Sequence, residues 1–590
     1  MPYTFGQVRY RGQPVRPPSA SPHTESIQTV GIDTEAYTTG HCFMICTSLG
    51  DTYAYEDYPQ CMFNRKYRNT TFVAYNLKYD MGAFLQFLPP DILRDLWKTG
   101  RVIYQDYTIK CIAYKFLRIT RKKKDSITVY DMLNFYRGAG VNGSSSLDSV
   151  AENMLGERKQ QIETKRFTPG YVRKNWQKIS EYCIQDAVLV QKLSDMLIRQ
   201  FEEWGVKPRA LYSVAYITYQ YFLYNTYYVT VHRFWYRCRE LLRYAMLSYN
   251  GGKFEVTRKG PGYYYEYDIV SAYPYEIANL VDISTARVQH LPYYDDTCTY
   301  AFVKCIITIP IHVYSPIAIK WGSVNIYPVG TVLKIVTKTE YLYLLSVGCT
   351  IHVIDAYHLY TNSNIYPYRE KIQELFEYKK LYKKTGQKML YHTVKILLNS
   401  LYGKFVQLIK HPDYLQAGNS WNPIYGSIIT ANVRVRITDM QQKHNSVVAV
   451  HTDSIISYKP LPVEDVSTLG GWSFEGEGEG IILGSGIYQI GEISKARGFR
   501  ITKPLMELCK IKRSKCRMIT TNVISWRECA FHGWDINMIN RFVTANKYIQ
   551  IRFDHKRIWI RDYKSFWDAT RRVVDSMPLV VSAMDCSAVD

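Results

Sequence analysis

A line of polar side chains along one predicted helix is the first indication of chemistry in this sequence. Lys388, His392, Lys395, Asn399 and Tyr402 follow one another at intervals of four or three residues, so they share one helical face. A lysine ammonium suits a phosphate, and a tyrosine ring can stack on a sugar or a base. A solvated polar face is the alternative, but such faces rarely lack glutamate as this one does. The stripe therefore predicts a surface that lies along a nucleotide.

Two carboxylates interrupt apolar runs on either side of this helix in the sequence. Asp268 lies in an aromatic strand predicted at 263–275, and Asp453 lies at the tip of a β-hairpin predicted at 446–458. Taken singly, each would be an ordinary turn or cap residue. Two carboxylates that flank a phosphate-binding helix predict instead a pair of divalent cations, about 3.5–4 Å apart, which hold an attacking 3′-oxygen and a leaving pyrophosphate.

The first third of the chain carries a second set of acids. Asp33 and Glu35 alternate on a predicted strand, so their side chains point to the same face. Asp80 follows in "YNLKYDMG", and Tyr182 and Asp186 are four residues apart on one face of a predicted helix. Four carboxylates and a tyrosine predict a second two-metal site, in which Tyr182 orients the attacking water.

As a set, these motifs resemble those of the family B DNA polymerases. The segments "DIVSAYP", "KILLNSLYG" and "HTDS" resemble motifs A, B and C in the right order and spacing. The segment "SYNGG" (248–252) resembles the YxGG segment that links exonuclease and polymerase modules in the protein-primed, phi29-like branch. The segment "KARG" (495–498) is similar to the lysine motif that contacts the primer near the palm–thumb junction.

The resemblance includes the 3′–5′ proofreading exonuclease of that family. The segments around Asp33, Asp80 and Asp186 resemble its motifs Exo I, Exo II and Exo III. The segment "SLDSV" looks like the motif that binds single-stranded DNA, and "KQQI", which begins at Lys159, looks like the catalytic-lysine motif.

The resemblance implies a role for each matched residue. The implied metal ligands are Asp268, Asp453, Asp33, Glu35, Asp80 and Asp186, and the catalytic set also includes Tyr182 and Lys159. The implied nucleotide-binding residues are Tyr273, Lys383, Lys388, Lys395, Asn399 and Tyr402. The implied DNA-binding residues are Asn76, Tyr79, Ser146, Leu147, Tyr249, Gly251, Gly252, Gly403, Tyr488 and Lys495. Tyr273 would lie beneath the sugar and exclude a ribose hydroxyl.

Three departures from the family pattern bear on function. His451 replaces the first aspartate of the DTDS pattern, and the resemblance implies that Asp453 is the main metal ligand. Gly486 stands where a KxY lysine is expected, with Tyr488 retained, so the grip on the primer strand should be weaker or supplied elsewhere. The region 405–425 is short, whereas the best-known protein-primed phage polymerases carry an insertion there that encircles the template. We therefore expect no high intrinsic processivity.

Composition agrees with a nucleic-acid enzyme. The chain has 590 residues and a net charge of +22, which favours a polyanionic partner, although a basic surface without a partner would carry the same charge. The hydrophobic content of 47% excludes wholesale disorder. The cysteines have neither a CxxC pair nor zinc-finger spacing, which predicts reduced thiols. The sequence has no signal segment and no apolar run long enough to span a membrane, so we expect a soluble, intracellular protein without membrane contact.

The motif order predicts a protein of α/β and α+β class with several domains: an RNase H-like exonuclease domain and a right-hand polymerase of palm, fingers and thumb. The predicted regions are a flexible basic N-terminal arm (1–25), the exonuclease domain (26–204), a linker and palm with motif A (205–295), an insertion with palm strands (296–365), a helical fingers hairpin (366–404), the palm with motif C (405–499), and the thumb with the C-terminal region (500–590). The region 296–365 is a candidate dock for a priming protein, and its segment 311–328 is the most specific candidate.

The combined interpretation is a template-directed DNA polymerase with a 3′–5′ exonuclease, two Mg²⁺ or Mn²⁺ ions in each active site, and DNA template, primer and dNTPs as partners. The compact length favours the protein-primed branch of viruses and linear plasmids, hence a terminal protein that supplies the priming hydroxyl. A single-stranded DNA-binding protein is a further candidate partner. A primer-independent polymerase-primase of family B and a catalytically silent DNA-binding scaffold are the alternatives, and the presence of every required carboxylate disfavours the scaffold.

Overall fold

The computed structural model describes residues 5–11, 25–68, 70–121, 125–322, 324–411, 413–464, 466–499, 504–551 and 555–582. Their arrangement is the mixed α/β architecture with several domains that the motif order predicts. The first strand, β1 (Val8–Arg9), pairs in parallel with a strand that begins at Leu415.

An eight-stranded sheet organises residues 25–204, in the order β4-β3-β2-β5-β9-β8-β7-β6. Its strands are β2 (Gln28–Ala36), β3 (Cys42–Thr47), β4 (Thr52–Ala54), β5 (Thr70–Ala74), β6 (Arg101–Tyr104), β7 (Tyr107–Ile112), β8 (Phe116–Arg121) and β9 (Asp125–Asp131). The central strands β2, β5 and β9 are parallel, and the remaining neighbours are antiparallel. A strand in the middle of such a sheet is covered on both faces, which explains why β2 is buried almost throughout.

Helices cover this sheet. They are α1 (Leu77–Leu85), α2 (Pro90–Thr99), α3 (Leu133–Tyr136), α4 (Leu147–Leu155), α5 (Pro169–Lys174) and α6 (Trp176–Glu203). The long helix α6 packs across β2 and confirms the helix predicted from "NWQKISEYCIQDAVLVQKLSDMLIRQF". The chain leaves α6 at Gly205, which has a φ of +75°, at the predicted domain boundary.

Three helices lead from this domain to the central sheet. They are α7 (Val214–Asn225), α8 (His232–Arg237) and α9 (Arg239–Ser248). The central sheet begins with β10 (Lys253–Val256) and β11 (Arg258–Ile269), followed by helix α10 (Ala272–Ala278). The strand predicted to run to residue 275 therefore ends at Ile269, because Ser271 adopts a left-handed conformation (φ +52°) and the next turn is helical.

A second sheet follows, in the order β12-β17-β13-β16 with one further strand from the C-terminal segment. Its elements are β12 (Arg287–Leu291), β13 (Tyr300–Ile309), β14 (Ile319–Trp321), β15 (Val324–Ile326), β16 (Val329–Thr337), α11 (Lys338–Ser346) and β17 (Thr350–Tyr360). The small hairpin of β14 and β15 stands apart as its own two-stranded sheet.

The helical hairpin predicted from residues 366–404 is confirmed as α12 (Arg369–Lys384) and α13 (Lys388–Phe405). Each helix buries one apolar stripe, which in α13 includes Val394, Leu397 and Leu401. The two helices pack against each other, and α13 also contacts α7.

The N-terminal residues 5–11 correct the prediction of a flexible arm over 1–25. β1 pairs in parallel with β19 (Leu415–Ala417), which also pairs with β18 (Leu408–Lys410). Phe5, Val8 and Tyr10 are buried in the core that contains Trp421. Alternating apolar residues within a basic segment supply this strand, whereas the rest of the predicted arm, residues 1–4 and 12–24, lies outside the described residues.

Helix α14 (Pro423–Lys443) then crosses beneath the central sheet, and it is buried nearly all round. The sheet is completed by β20 (Val447–Thr452), β21 (Ser454–Ser457), β22 (Trp472–Gly484), β23 (Ile487–Ile490) and β24 (Ile493–Ala496). The strand order is β10-β20-β21-β11-β22-β23-β24. The hairpin predicted at 446–458 is confirmed as β20 and β21.

The last region contains a two-stranded ribbon, followed by strands that join the central and the second sheet. Its elements are α15 (Leu505–Leu508), β25 (Lys515–Val523), α16 (Trp526–His532), β26 (Phe542–Gln550), β27 (Arg557–Trp559), α17 (Phe566–Ala569), β28 (Val574–Pro578) and β29 (Val580–Val581). β28 pairs with β11, and β29 pairs with β16, so this end of the chain joins both sheets. Within the described residues, every helix is too short or too polar to cross a lipid bilayer.

Candidate active sites

Two carboxylates meet at one end of the central sheet. Asp268 lies near the end of β11, and Asp453 occupies the tight turn between β20 and β21, in which Thr452 has a φ of +68°. Asp268 pairs in register with Ser454, and the Ile269 N–H donates to the Asp453 carbonyl at 2.9 Å. The sheet register therefore places side by side two acids that are far apart in the sequence.

Burial and mutual repulsion disfavour ionisation of this pair. Burial, followed by the charges of Asp453 and Glu475, raises the pKa of Asp268 to about 7, and burial also raises the pKa of Asp453. Asp268 Oδ1 is buried and accepts no hydrogen bond from the described residues. A carboxylate oxygen without a donor, beside a second carboxylate, suits a hard divalent cation. These residues therefore fit the metal pair that the sequence predicts, and their role as ligands stays a prediction.

Three tyrosines from separate segments meet beside these acids. The rings of Tyr273, on α10, and Tyr402, on α13, have centroids 4.9 Å apart, and the Tyr402 and Tyr249 hydroxyls share a hydrogen bond. A Cβ added to Gly252 would lie 2.7 Å from Thr452 Cγ2 and 3.1 Å from the Tyr273 hydroxyl. A side chain at Gly252 would crowd both Thr452 and Tyr273, so the "SYNGG" segment packs closely against the tyrosine predicted to contact the sugar.

The helical hairpin turns a cluster of lysines toward the same end of the sheet. Lys379 Nζ donates to Ser271 Oγ at 3.0 Å, and burial, together with the charges of Lys395 and Lys383, lowers the pKa of Lys379. Three ammonium groups therefore lie close together near Asp268, where a polyphosphate would neutralise them. The sequence motifs predicted Lys383 and Lys395 but missed Lys379, although it lies one helical turn before Lys383.

The other end of the polar stripe contacts the N-terminal domain. Lys388 Nζ donates to Asn153 Oδ1 at 2.7 Å, and His392 Nε2 lies 2.6 Å from the Phe135 carbonyl while its ring stacks on Tyr136. Lys388 therefore joins α13 to α4. Its predicted role with the triphosphate would require this contact to break, because one ammonium cannot serve both places.

Two further residues of α13 are open to solvent. Asn399 is exposed, and a Cβ added at Gly403 would meet nothing within 4 Å. The protein's own packing therefore does not require glycine at 403. Close approach of a base pair, the reason suggested by the sequence, stays a prediction.

A buried arginine that the sequence motifs did not indicate holds the "SYNGG" segment. Arg434, on α14, is completely buried and donates to the carbonyls of Asn250 and Gly251. Its other amino group pairs with Glu340 at 2.6 Å. Burying a charge is costly unless it is paired, so this network fixes the loop in one position. No local pattern could reveal it, because the partners are 94 residues apart or more.

His451, which replaces an expected aspartate, is part of an aromatic stack. Its ring lies parallel to that of Tyr488 at 5.1 Å, and its Nε2 accepts from the Gly486 N–H at 3.4 Å. Burial, followed by the charges of Lys495 and of two other basic residues, lowers the pKa of His451 to about 3, so the imidazole is neutral. Tyr488 and Lys495 both donate to Glu266, at 2.7 and 2.8 Å. The two predicted primer contacts are therefore fixed by one buried glutamate.

A second acidic cluster lies where β2 meets α1 and α6. Asp33 and Glu35 project from β2, Asp80 from α1 and Asp186 from α6, and Lys159 pairs with Asp186. Burial and then repulsion between the acids raise the pKa of Asp33; the same two causes raise the pKa of Glu35 to about 8. Burial raises the pKa of Asp80 to about 7, although Asp80 accepts from the Thr34 hydroxyl.

This cluster also fits divalent cations. Three buried acids, Glu35, Asp80 and Asp186, and the half-buried Asp33 lie near Lys159, and Asp186 Oδ1 is buried without a donor among the described residues. The Cys183 thiol lies within 4.8 Å of oxygens from both Asp33 and Glu35, a neighbour that the sequence motifs did not predict. The Lys159 ammonium lies 5.2 Å above the ring of Tyr182, which places both predicted catalytic residues at the edge of the cluster.

The predicted DNA-binding residues of the N-terminal domain lie at the starts of α1 and α4. Asn76 precedes α1 in a left-handed conformation (φ +64°), and its N–H donates to Asp131 Oδ1 at 3.0 Å. The motifs did not indicate Asp131, whose pKa is raised to about 6 by burial. Ser146 caps α4, and Leu147 is buried beneath it. Tyr79, on α1, offers its carbonyl to Asn540 at 3.0 Å.

Comparisons with known proteins agree with this geometry. The family model for DNA polymerase type B, organellar and viral, matches residues 61–417. A DNA polymerase of Acidianus bottle-shaped virus is 34% identical over 145 residues, which cover 24% of this chain and 21% of that protein. A probable DNA polymerase of Ascobolus immersus is 23% identical over 442 residues, covering 65% of this chain and 35% of that one. The chain thus spans about a fifth and about a third of these two relatives.

Solved structures share the fold. The orthorhombic crystal form of phi29 DNA polymerase has a TM-score of 0.63 at 14% identity, covering 89% of this chain and 100% of that chain. Its ternary complex with primer-template DNA and incoming nucleotide has a TM-score of 0.62 at 13% identity with the same coverage. The complex of that enzyme with single-stranded DNA has a TM-score of 0.60 at 14% identity, again with the same coverage.

Proposed function

This chain belongs to the organellar and viral type B DNA polymerases, and from that premise we propose that it extends DNA primers on a template and removes nucleotides with a 3′–5′ exonuclease. The observation that carries the proposal is the meeting of Asp268, Asp453, Tyr273, Tyr402 and the Lys379 cluster at one end of the central sheet. Acids, phosphate-binding cations and stacking rings are the groups that nucleotidyl transfer needs in one place.

Asp268 and Asp453 would hold two divalent cations, Mg²⁺ or Mn²⁺, which would supply Lewis-acid activation of the attacking 3′-hydroxyl and neutralise the leaving pyrophosphate. Lys379, Lys383 and Lys395 bind the triphosphate. Burial and the neighbouring charges of Lys395 and Lys383 lower the pKa of Lys379, and a bound polyanion would relieve the repulsion between the three ammonium groups. The side chains of α12 and α13 thus orient the phosphates against the acids.

Tyr273 and Tyr402 bind the sugar and the base of the incoming dNTP. Their rings are held by the Tyr249 hydroxyl and by the glycine backbone beneath them, so the pocket has little room to widen. A ribose 2′-hydroxyl would meet the Tyr273 ring, which makes deoxyribonucleotides the favoured substrates.

The exonuclease uses the second cluster. Asp33, Glu35, Asp80 and Asp186 would hold the second metal pair, which would activate a water for attack on the terminal phosphodiester. Tyr182 and Lys159 lie together at its edge and orient that water and the scissile phosphate. The surface from α1 to α4 binds the unpaired 3′ end through the residues around Asn76 and Ser146.

Separation of the two activities tests the proposal. Asp453→Asn should abolish incorporation into a primed template and leave degradation of single strands intact, because the acids lie on different sheets. Asp33→Ala should do the reverse and raise misincorporation. Both activities are measured on the same labelled primer. Primer extension by Asp453→Asn at a rate near that of the unmodified protein would refute the polymerase assignment, and equal loss of both activities in either folded variant would refute separate sites.

For initiation, we favour a protein primer over a primer-independent start. The support is the resemblance of the "SYNGG" segment to the protein-primed branch and the fold shared with phi29 DNA polymerase along 89% of the chain. A serine, threonine or tyrosine hydroxyl on a terminal protein would occupy the place of the primer 3′-hydroxyl. The test is transfer of labelled dNMP to a candidate terminal protein, run beside extension of a DNA primer. Efficient starts on bare template would favour the primer-independent alternative.

The candidate dock for such a protein is narrower than the segment 311–328. The Ser315 carbonyl accepts from the buried Lys253 ammonium at 3.1 Å, and the Tyr327 hydroxyl donates to the Gly252 carbonyl at 3.3 Å. Both ends of the segment therefore support the proposed polymerase site, and shortening all of it would impair extension of a DNA primer as well as transfer to a terminal protein. The exposed tip of the β14–β15 hairpin, with Lys320 and Trp321, is the part left for docking. Trp321→Ala should reduce dNMP transfer to the terminal protein and spare primer extension.

A further inference from the structure

A buried thiol belongs to a compact group of side chains that could bind a metal ion. Oxygens of Asp33 and Glu35 and the sulfur of Cys183 all lie within 4.8 Å of one another. Asp80 and Asp186 complete the proposed exonuclease cluster but stand outside this trio. Cys183 is completely buried, and it is the one member of the trio that the exonuclease motifs do not account for. The presence of a sulfur atom beside these acids therefore needs its own explanation.

Close packing of α6 on β2 holds the thiol in this place. The two acids of the trio alternate along β2, and Cys183 lies on α6, one helical turn before Ala187. A Cβ added at Gly31 would overlap the Ala187 carbonyl, so the absence of a side chain there lets the helix approach the strand. Cys183 and Asp186 are three residues apart and share a face of α6. The thiol and this carboxyl group are therefore turned toward the same strand.

A second thiol lies against the first. Cys46, on β3, pairs in register with Asp33, so the two side chains lie on the same face of the sheet. A hydrogen bond with the Cys183 thiol is the main cause that lowers the pKa of Cys46. Cys46 Sγ also lies 3.6 Å from Thr52 Oγ1. Cys46 can therefore orient the Cys183 sulfur, as the outer partners of metal ligands do.

Ordinary core packing is the alternative for a buried cysteine. On one side Cys183 does pack with Phe43 and Ile179 in a small apolar cluster. A thiol is only a weak hydrogen-bond donor, however, so packing alone would leave Asp33 and Glu35 without a strong donor on this side. Burial and repulsion already disfavour ionisation of these two acids, because both causes raise their pKa values. A cation between the three groups would remove this cost, because it neutralises the carboxylates and binds the sulfur.

The donor atoms select the class of cation. Mg²⁺ prefers oxygen ligands, whereas thiolate sulfur favours softer ions such as Zn²⁺. Zinc accepts carboxylate oxygen and cysteine sulfur in one site. Asp186 offers a further oxygen, because its Oδ1 is buried and has no donor among the described residues. After burial, the charge of Asp186 is the main cause that raises the pKa of Asp33, which shows that these two carboxyl groups are close.

We propose that Cys183 is a metal ligand, and that Asp33, Glu35 and Cys183 form a position for a thiophilic divalent cation such as Zn²⁺ within the exonuclease cluster. This assignment rests on the proposed exonuclease function and adds to it a ligand and a class of cation. As the cation binds, the Cys183 thiol gives up its proton to solvent, because the thiolate is the ligand. The Cys46 thiol then donates its hydrogen bond to that sulfur. The second cation of the pair, Mg²⁺ or Mn²⁺, is left to the remaining carboxylate oxygens.

Absorption by bound Co²⁺ is the first test. Co²⁺ bound to a thiolate has a strong sulfur-to-metal charge-transfer band in the near ultraviolet, whereas Co²⁺ bound only to oxygens has none. Titrated with Co²⁺ alone, without DNA, the full-length protein should develop this band, and Cys183→Ser should lack it. Cys305→Ser is the matched control and should keep the band, because Cys305 is equally buried but lies in the second sheet. A band of equal intensity in Cys183→Ser would overturn the assignment.

A second variant leaves every thiol in place and so does not depend on the folding of Cys183→Ser. Asp33→Asn should raise the Co²⁺ concentration that gives half the maximal band by at least about tenfold, since even the loss of an outer partner of a ligand costs that much. Zn²⁺ should displace the bound Co²⁺ at far lower concentrations than Mg²⁺ does. An unchanged midpoint in Asp33→Asn, or equal displacement by Mg²⁺ and Zn²⁺, would overturn the assignment.

Degradation of single-stranded DNA separates this assignment from the proposed function. If the unmodified protein shows the band but degrades no DNA with Mg²⁺, Mn²⁺ or Zn²⁺, the exonuclease fails and the thiolate ligand stands. If it degrades DNA and shows no band with Co²⁺, only the thiolate ligand fails. Primer extension by each variant controls for folding, because the polymerase acids lie on the central sheet.

Discussion

Gly252 and Gly251 offer a matched pair of substitutions at the polymerase site. A Cβ at Gly252 would lie 2.7 Å from Thr452 Cγ2, 3.1 Å from the Tyr273 hydroxyl and 3.2 Å from Thr452 Cα, whereas one at Gly251 would meet nothing within 4 Å. Neither glycine has a positive φ, so alanine is compatible with both backbones. We therefore expect Gly252→Ala to impair incorporation and Gly251→Ala to leave it nearly unchanged.

The size of the effect follows from the distances. Thr452 Cγ2 must retreat by about 0.7 Å to reach ordinary contact at 3.4 Å, and the Tyr273 hydroxyl by about 0.3 Å. Thr452 precedes Asp453 in the turn, so the displacement moves Asp453, the proposed metal ligand, away from Tyr273, the proposed sugar contact. Overpacking of this kind costs about 1–3 kcal/mol. At about 1.4 kcal/mol per factor of ten, kcat/KM for the dNTP should fall roughly 5- to 140-fold.

The assay is single-nucleotide incorporation with both glycine variants, and degradation of single-stranded DNA by each preparation serves as an internal control of folding. Gly252→Ala should keep exonuclease activity, because its surroundings lie on the central sheet. Equal kcat/KM values for the two variants would refute a positioning role for the close approach at Gly252, and so would a parallel loss of both activities.

Three further outcomes test the site. Tyr273→Val should narrow the preference for dNTP over rNTP in kcat/KM, since the ring no longer meets the ribose hydroxyl; an unchanged ratio removes Tyr273 from that role. Lys379→Ala should raise KM for dNTP more than Lys388→Ala, because only Lys379 lies in the cluster near the acids; the reverse order in steady-state titrations would contradict the geometry. The pKa of Asp268 is 3.8 in its ordinary state and is raised to about 7 in the folded protein. With metal ions removed by EDTA, the free energy of unfolding should therefore fall as the pH rises from about 3.8 through about 7. Asp268→Asn should then raise Tm at pH 8. The gain in the free energy of unfolding is at most about 4 kcal/mol, and less because Asp268 is partly exposed. Near pH 4 the variant and the unmodified protein should have the same Tm. A Tm at pH 8 no higher than that of the unmodified protein would contradict the raised pKa.

Short motifs predicted the acids of both sites because chemistry confines them to a few neighbouring residues. Alternation on a strand paired Asp33 with Glu35, and the position of Asp268 and Asp453 on either side of the lysine-bearing helix, together with the family resemblance, paired those two; the structure brings each pair together. The helical hairpin followed in the same way from periodicity, since an amphipathic stripe is a local property of the sequence.

Interactions between distant segments could not be predicted in that way. Periodicity shows that Lys388 and Lys395 share a face, but not that the N-terminal domain covers one end of it. Arg434 and Lys379 are single basic residues within helices, and only the packing of α14 and α12 reveals what they hold. The N-terminal strand was missed because two residues of pairing leave almost no pattern.

That strand changes how the two activities can be divided in the gene. Residues 5–11 pack on Trp235 and Trp421 and pair with β19, all within the polymerase part, before the chain enters the N-terminal domain at residue 25. The N-terminal domain, to which we assign the exonuclease, therefore interrupts the polymerase part, because β1 comes before it in the chain and packs with residues that come after it. A shortened gene that begins after α6 would lose β1 and expose the core beneath it.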